Sequence, residues 1–220
     1  MHCLEVAGEF ACFTRPEMKV ERVSADVITP SAARAVFESI LWKPAIRWQV
    51  TRIEILNPVR WVNLRRNEVG HRIPGRNVES AMRAGHGQLG QYIEDDRQQR
   101  AGLFLRDVRY RLHARFEMTE RAQADDTPAK FDAMFRRRAA KGQCINQPYL
   151  GCREFAARVR LVEDTKGEDP PLADYSADLG YLLYDLDFSD AEAPRPLFFR
   201  ARVNGGVLIV PARDSTEVLG

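Results

Sequence analysis

The sequence predicts an α+β protein: a ferredoxin-like (RRM-like) βαββαβ domain with a long insertion, followed by a small C-terminal antiparallel β unit. Three observations lead to this prediction. Two segments open with Thr-Pro, at Thr29 and Thr127, and continue with helical apolar spacing. Segments that alternate apolar and polar residues lie before and after each of these helices. Three more short apolar segments follow an acidic, proline-containing stretch near the C-terminus.

The first three elements are a strand, a helix and a second strand. Residues 2–13 alternate apolar and more polar side chains, which is typical of a strand. A helix begins after Thr29, with Pro30 at its first position. It ends before Pro44, because the residue preceding a proline disfavours the α region. The apolar parity of the following strand changes near Arg52, which predicts a β-bulge there.

A long polar segment, residues 63–102, separates this strand from the next. It contains six glycines and has little apolar periodicity. Segments of this length without regular structure are uncommon in compact domains unless they are functional or mobile. The sequence therefore predicts a mobile insertion.

The clearest pattern in the chain is the alternation within residues 104–118. One parity is apolar apart from a single arginine, whereas the other carries Arg109, Arg111, His113 and Arg115. This pattern predicts a strand with one buried face and one basic face. Adjacent cations repel each other unless an anion lies among them, so the basic face favours a polyanion. A simply solvated strand face is the alternative.

A second helix and a fourth strand complete the first domain. The helix begins at Pro128 and ends at Gly142, and its C-terminal half is rich in arginine. Residues 154–161 alternate again as a strand, which completes the βαββαβ order. The acidic stretch 163–178 reads as a linker, and the strands after it are predicted at 181–188, 197–203 and 207–210. The predicted domains are therefore 1–163 and 164–220, with the second packed on the first and its last two strands joined by a tight turn at Asn204-Gly205.

Composition excludes several classes of protein. The chain has 220 residues, 45% of them hydrophobic and 29% charged, as in ordinary globular domains. It contains no apolar run long enough to span a membrane, and its first ten residues lack the pattern of a secretory signal. The four cysteines form no C-x-x-C pair, which argues against a zinc site and suits a reducing compartment. We therefore expect a cytoplasmic protein without a membrane partner.

The distribution of charge says more than its total of +2. Residues 47–160 carry a net charge of +10, whereas residues 161–220 carry −7. Of the 33 basic residues, 28 are arginine. The planar guanidinium binds phosphate in a bidentate manner and stacks on bases, so this bias favours RNA or DNA as a partner. A GC-rich coding bias is the alternative explanation.

The usual catalytic motifs are missing from the sequence. It has no phosphate-binding glycine loop, no H-E-x-x-H and no G-x-S-x-G. His71 and His86 have no convincing third ligand, so we expect no metal and no other cofactor. Lys130 is the most suggestive residue, because it lies in the first turn of the second helix, where the helix dipole favours an anion. It is expected to hold a phosphate, with a lowered pKa; an exposed lysine without a role is the alternative.

The junction between the first helix and the second strand has an unusual composition. The stretch 38–50 carries Trp42, Lys43, Arg47 and Trp48 where a plain connection would use small polar residues. These side chains suit base stacking and phosphate contacts. Trp48 shares a strand face with apolar residues, so a core position is the alternative for it.

Four stretches together carry a resemblance to a known family: "GEFACFTRPEMKVER", "AARAVFESILWKPAIRW", "EDDRQQRAGLFLRDVRYRLHARFE" and "KFDAMFRRRAAKGQCINQPYLGCREFAA". In this order they resemble the type I-C CRISPR-associated Cas-five subunit, d subtype, over nearly the whole chain. The resemblance implies a ferredoxin-like RNA-binding protein that cleaves CRISPR repeat RNA without a metal. It also implies that the protein remains on the 5′ handle of the crRNA beside the backbone and large subunits of Cascade. Double-stranded DNA is a further partner to consider.

The chemistry implied by the resemblance is attack of a ribose 2′-OH on the adjacent phosphate, leaving a 2′,3′-cyclic phosphate and a 5′-OH. The family pattern carries a tyrosine before Trp-Lys-Pro and a Lys-His pair at the start of the second helix. Lys130 matches the lysine, whereas Leu41 and Phe131 stand where the tyrosine and histidine would be. His113 and Tyr149 are the substitutes considered, on proximity in sequence alone.

The residues expected to bind RNA share positive charge or an aromatic ring, and all but Trp42 and Lys43 lie in the basic part of the chain, residues 47–160. They are Trp42, Lys43, Arg47, Arg65, Arg66, Arg97, Arg100, Arg109, Arg111, Arg115, Arg136, Arg137 and Arg138. Three functions stay open. The first is a metal-independent endoribonuclease, the second is a non-catalytic subunit that binds the crRNA 5′ handle, and the third is a basic scaffold for an acidic protein.

Overall fold

The computed structural model describes residues 1–18, 20–87, 89–190 and 192–220. Within these residues it contains nine strands and three helices. The strands are β1 (His2–Ala11), β2 (Ile46–Ile55), β3 (Trp61–Val69), β4 (Arg97–Met118), β5 (Arg158–Val162), β6 (Ala177–Asp187), β7 (Arg195–Asn204), β8 (Val207–Ile209) and β9 (Val218–Leu219). The helices are α1 (Pro30–Ile40), α2 (Gly75–Ala84) and α3 (Pro128–Ala140).

The strands form one sheet with the order β5-β1-β4-β2-β8-β7-β6, while β3 pairs with β4 and β9 pairs with β7. The pairings between these strands are antiparallel. The C-terminal strands join the sheet through β8, which pairs with β2. The protein therefore has a mixed α/β fold with a mostly antiparallel sheet. The predicted boundary between residues 163 and 164 stays a prediction.

The two Thr-Pro helix starts are confirmed. The Thr29 side chain accepts a hydrogen bond from the backbone N–H of Ala32, and the Thr127 side chain accepts one from that of Lys130. Each proline follows its cap, where the helix needs no N–H donor. Helix α1 ends at Ile40, and the predicted β-bulge lies between Val50 and Arg52.

Helices α1 and α3 pack on one face of the sheet, where aromatic rings form the centre of the core. The Trp48 ring lies 5.0 Å from that of Phe37 and 4.7 Å from that of Phe135. Trp48 is only 2% exposed, and its Nε1 donates to the carbonyl of Leu41 at 2.8 Å. Of its two interpretations, the core position is therefore confirmed. Burial of each such ring stabilises the fold by about 1.5–3 kcal/mol.

The segment 63–102 was predicted as an insertion without regular structure, and that part of the prediction was wrong. It contains most of β3, all of α2 and the start of β4, which is a strand of 22 residues. We call β3, α2 and the β4 residues before Leu105 the arm. Along β3 the exposed and half-buried residues alternate, and no side chain of α2 is buried. Apart from Phe104, which is fully buried with Val62 and Leu64 packed against it, the arm contributes little to the core. Most of its sequence therefore lacks apolar periodicity.

The C-terminal strands agree with the prediction. Strands β6, β7 and β8 overlap the three segments predicted from the sequence. Gly205 and Gly206 join β7 to β8 in a two-residue turn, with φ values of 54° and 74°. Positive φ at both positions is typical of a type I′ turn, which glycine adopts without strain.

Candidate functional site

Residues 41–47, here called the corner, connect α1 to β2 at one end of the sheet. Trp42 is 54% exposed, and Lys43 and Arg47 are also exposed. The loop after β4 holds the corner in place, because Thr119 Oγ1 donates to the carbonyl of Pro44 at 2.6 Å. The corner thus presents an exposed indole and two cations on a fixed backbone.

Two adjoining grooves open beside the corner. One, of about 600 Å³, is lined by Trp42, Lys43 and the loop after β4. The other, of about 960 Å³, runs between β2 and the segment after β6, and Phe188 lines it with 60% of its surface exposed. Arg47 borders both grooves and makes no ion pair within the part of the chain that the structure describes. The grooves therefore combine a free guanidinium with exposed rings, which suits phosphate and base contacts.

Lys130 lies at the start of α3, as predicted, but its environment differs from the expected one. Its Nζ contacts carboxylate oxygens of Asp126 at 3.0 Å and Asp125 at 3.2 Å. These hydrogen bonds raise the pKa of Lys130, so the predicted lowering was wrong. The pKa of Asp126 is lowered by the Gln123 N–H and by Lys130, with a smaller contribution from Lys43. Lys130 and the corner thus lie at the same end of the molecule.

Leu41 and Phe131 belong to the hydrophobic core. Leu41 is 0% and Phe131 2% exposed, and the Phe131 ring lies 6.5 Å from that of Phe116 in an edge-to-face arrangement. These two positions, which the family pattern fills with a tyrosine and a histidine, therefore supply packing in this chain.

His113 lies on the opposite face of the sheet from Lys130, so the two do not form one site. Its Nε2 is 2.9 Å from Oε1 of Glu54, and the residue is 8% exposed. Burial and the charges of Arg52 and Arg111 lower its pKa to about 4. The expectation that His113 acts together with Lys130 was therefore wrong.

Tyr149 is also remote from Lys130. It precedes Leu150, whose carbonyl accepts a hydrogen bond from Cys12 just beyond the end of β1. His2, at the other end of β1, contacts Asp132 of α3 at 3.3 Å. Ten residues of strand span about 33 Å. The three predicted catalytic residues thus occupy three separate places, because proximity in sequence did not reflect proximity in the fold.

The basic face of β4 is neutralised by the chain itself. Arg109 pairs with Glu5 through two hydrogen bonds of 2.9 and 3.0 Å, and Arg111 pairs with Glu54 at 2.6 Å. Arg115 contacts Glu117 at 3.1 Å. Arg111 is only 3% exposed, so the expectation that it contacts RNA was wrong. The anions that this face requires come from β1, β2, β4 itself and the segment after β5, where Asp169 contacts Arg109 at 2.6 Å.

The other expected RNA-binding arginines fall into two groups. Within the described residues, Arg65, Arg97 and Arg137 are exposed and make no ion pair. The remaining ones have partners inside the protein: Arg66 pairs with Glu68 and Glu154, Arg100 with Glu68, Arg136 with Asp132, and Arg138 donates to the carbonyl of Ile40. Only the first group is available to RNA without breaking an existing contact.

Sequence reasoning missed His2 altogether. It is 4% exposed, lies against the rings of Trp48, Phe116 and Phe135, and contacts Asp132. Its Nδ1 is buried without a hydrogen-bond partner among the described residues. Burial lowers the pKa of His2 to about 4, and the nearby N-terminal ammonium and Arg136 act in the same direction. No pattern in the sequence distinguishes this residue from an ordinary strand position.

The two buried histidines predict a pH dependence of stability. Their folded-state pKa of about 4 lies below the usual 6.5, so the unfolded chain binds more protons between these values. Stability is therefore fully present above pH 6.5 and decreases as the pH falls towards 4, by up to about 1.4 kcal/mol per pH unit for each histidine. Urea unfolding at several pH values measures this. His113→Gln is expected to flatten the slope in this window, and an unchanged slope would contradict the assignment.

No group of three or more metal-ligating side chains occurs in the described part of the chain. None of the helices in that part has the length and apolarity needed to cross a bilayer.

An antiparallel sheet with helices on one face, and with exposed rings and free cations at one end, is typical of proteins that bind single-stranded RNA. The comparison with known families agrees with this class. The model of the Cas5d family, described as "CRISPR-associated protein (Cas_Cas5)", matches residues 2–211. The chain belongs to this family.

Two relatives of known name match nearly the whole chain. "CRISPR pre-crRNA endoribonuclease Cas5d" of Mannheimia succiniciproducens is 48% identical over 222 residues, which are 98% of this chain and 96% of the relative. The protein of the same name from Thermus thermophilus is 41% identical over 232 residues, 98% of this chain and 93% of the relative.

Two solved structures have a similar fold. A "CRISPR-associated Protein" aligns with a TM-score of 0.71 at 21% identity, over 100% of this chain and 96% of the other. A chain of a "CRISPR RNA-guided surveillance complex" aligns with a TM-score of 0.51 at 13% identity, over 96% of this chain and 89% of the other.

Proposed function

We propose that this protein cleaves precursor crRNA within the CRISPR repeat and remains on the 5′ handle of its product as a Cascade subunit. The observation that carries the proposal is the full-length similarity to two relatives named pre-crRNA endoribonuclease, at 48% and 41% identity. The other Cascade subunits are the protein partners, double-stranded DNA is a further ligand, and the cytoplasm is the location.

A ferredoxin-like topology for the first part of the chain belongs to this proposal. The elements β1, α1, β2, β4, α3 and β5 follow one another as strand, helix, strand, strand, helix and strand. Their strands lie in the order β5-β1-β4-β2 with antiparallel pairing, which supports this topology. The arm is then an extension of the hairpin between β2 and β4.

The proposed reaction is attack of a ribose 2′-oxygen on the adjacent phosphorus. The 2′-OH loses its proton, the bond between phosphorus and the 5′-oxygen breaks, and the leaving oxygen takes up a proton to give a 5′-OH. Lys130 would stabilise the charge on the phosphorane-like oxygens, since its ammonium is held at the start of α3 by Asp125 and Asp126. Trp42, Lys43 and Arg47 would position the RNA beside it. His113 and Tyr149 are not part of this site.

The test is incubation of the purified protein with RNA of its own CRISPR repeat in the presence of EDTA. We expect one cut, with a 2′,3′-cyclic phosphate on the upstream fragment and a 5′-OH on the downstream fragment, both identified by mass spectrometry. Cleavage that appears only after a divalent metal is added would contradict the metal-independent mechanism.

A second function, binding of the 5′ handle without cleavage, is favoured by one observation. Leu41 and Phe131 are buried where the family pattern has two reactive side chains. The same experiment separates the two functions, because tight binding of repeat RNA without any product supports the non-catalytic subunit. No affinity for RNA would instead favour the third function, a basic scaffold for an acidic protein.

A further inference from the structure

The sheet face opposite α1 and α3, here called the open face, is partly covered by an acidic segment of the same chain. This segment, residues 163–171, is the first part of the connection between β5 and β6, and from here on we call only these residues the linker. Glu168 accepts two hydrogen bonds from Arg160, at 2.7 and 2.6 Å. Asp169 accepts one from Arg109 at 2.6 Å through its carboxylate and one from Arg111 at 2.8 Å through its carbonyl. The linker therefore meets the open face through polar contacts.

The arginines beneath the linker outnumber the carboxylates of the sheet itself. Strand register places their side chains on the same face, since Glu5 lies opposite both Arg111 and Arg160, and Ala7 lies opposite both Arg109 and Arg158. In the ion pairs of the described residues, four of these arginines share only two carboxylates of the sheet, Glu5 and Glu54: they are Arg52, Arg109, Arg111 and Arg160. His113 adds no charge at neutral pH, because its pKa is about 4. Glu168 and Asp169 of the linker supply two of the missing negative charges.

The Glu168 carboxylate of the linker binds arginine as a phosphate would. Both oxygens of Glu168 contact one guanidinium, which is the bidentate geometry that arginine also uses with phosphate. Arg158, next to this pair on the same strand face, is exposed and makes no ion pair within the described residues. A polyanion that first contacts Arg158 would then compete with Glu168 for Arg160.

The linker is held weakly and is anchored at both ends. In each ion pair one side chain is at least half exposed, Arg160 at 50% and Asp169 at 67%, while its partner, Glu168 or Arg109, is 22% or 27% exposed. Ion pairs with an exposed member contribute little and are screened by salt. Before the linker, Val162 pairs with Cys3 in the sheet; after it, the Leu172 N–H donates to the carbonyl of Ile55 at 3.0 Å. The residues between these anchors are exposed or half-buried, so the segment adds no fully buried side chain to the core.

We propose that the linker is an intramolecular competitor for RNA: Glu168 and Asp169 occupy phosphate-binding positions on the open face, and RNA phosphates displace them. The inference rests on the proposed RNA-binding function and extends it, because it assigns a second RNA-contacting surface away from the corner. It also gives the acidic charge of the linker a role, which is to exclude weakly bound polyanions from the open face.

The test compares three full-length proteins: wild type, the double variant Glu168→Gln/Asp169→Asn, and the control Glu163→Gln/Asp174→Asn. The control removes the same charge from residues that make no ion pair within the described part of the chain. Affinity for RNA of the protein's own repeat is measured by fluorescence anisotropy at several salt concentrations. The double variant is expected to bind about three- to tenfold more tightly at low salt, with the gain decreasing as salt rises. The control is expected to change by less than about twofold.

A second measurement separates the failure of this inference from failure of the proposed function. Hydrogen–deuterium exchange of residues 163–171 in the wild type is expected to increase when repeat RNA binds. RNA binding with unchanged exchange of the linker, or with equal affinity for all three proteins, would overturn the inference alone. Failure of all three proteins to bind RNA would overturn the proposed function and this inference with it.

Discussion

Replacement of Lys130 with alanine is expected to reduce the rate of repeat cleavage by about 10²–10³-fold, the usual effect of removing one group that stabilises a developing oxyanion. The ammonium lies at the start of α3, held by Asp125 and Asp126, so it is in place before the substrate arrives. The affinity for RNA is expected to fall much less, because Lys130 is one cation among several at this end of the molecule. Single-turnover cleavage and equilibrium binding, measured on the same repeat RNA, separate the two effects.

Lys141 provides the matched control, because it is an exposed lysine at the other end of the same helix. Lys141→Ala removes an equal charge and is expected to leave the cleavage rate within about twofold. If Lys130→Ala cleaves as fast as the wild type, the catalytic role of Lys130 is refuted. If it loses binding and cleavage in equal proportion, Lys130 only holds the RNA.

Replacement of Glu54 with glutamine is expected to lower the free energy of unfolding by about 3–5 kcal/mol, since it leaves a buried charge without its partner. Glu54 is 0% exposed and contacts Arg52, Arg111 and His113. Arg111 is 3% exposed, so water cannot replace the lost carboxylate. Glutamine has nearly the same volume, which excludes a cavity as the cause. Urea denaturation measures the change, and an unchanged m-value would show that the unfolding transition itself is the same.

Glu117 is the control for this prediction, because it pairs with Arg115 on the same face but both side chains are more than half exposed. Glu117→Gln is expected to change stability by less than about 0.5 kcal/mol. The double variant Glu54→Leu/Arg111→Met is expected to recover most of the loss, because it removes both buried charges. A loss in the double variant as large as that of Glu54→Gln would contradict the explanation.

The parts of the fold with one buried face could be predicted from the sequence. Thr29 and Thr127 fixed the start of two helices because cap chemistry is local. The alternation within residues 104–118 located the central part of β4, because one side of that strand is apolar. The resemblance to the Cas5d family, based on four stretches in order, is confirmed by the family match.

The arm could not be predicted because its apolar periodicity is weak. Its strand β3 pairs with β4 and has one side that is only half-buried, and α2 has no buried side chain. The pattern of apolar and polar residues in a sequence reflects which side chains are buried. Where few side chains are buried, this pattern cannot distinguish a hairpin from a loop.

The candidate site was predicted only where it depends on local features. Lys130, Trp42 and Lys43 lie where the sequence placed them, at a helix start and a proline-terminated junction. The partners of the basic strand, however, are Glu5, Glu54 and Asp169, which come from other parts of the chain. Pairing over such distances in sequence depends on strand order and register, and neither can be read from one strand's pattern.

The pairing of β8 with β2 has a consequence for synthesis of the chain. Strand β2 leaves the ribosome roughly 150 residues before β8, which at about 5–20 residues per second is a delay of roughly 8–30 s. During that time one edge of β2 lacks the partner that covers it in the finished protein. An uncovered strand edge can pair with a neighbouring nascent chain. Ribosomes that follow closely on one messenger would therefore favour misassembly, and slower initiation of translation is expected to improve the yield of the native protein.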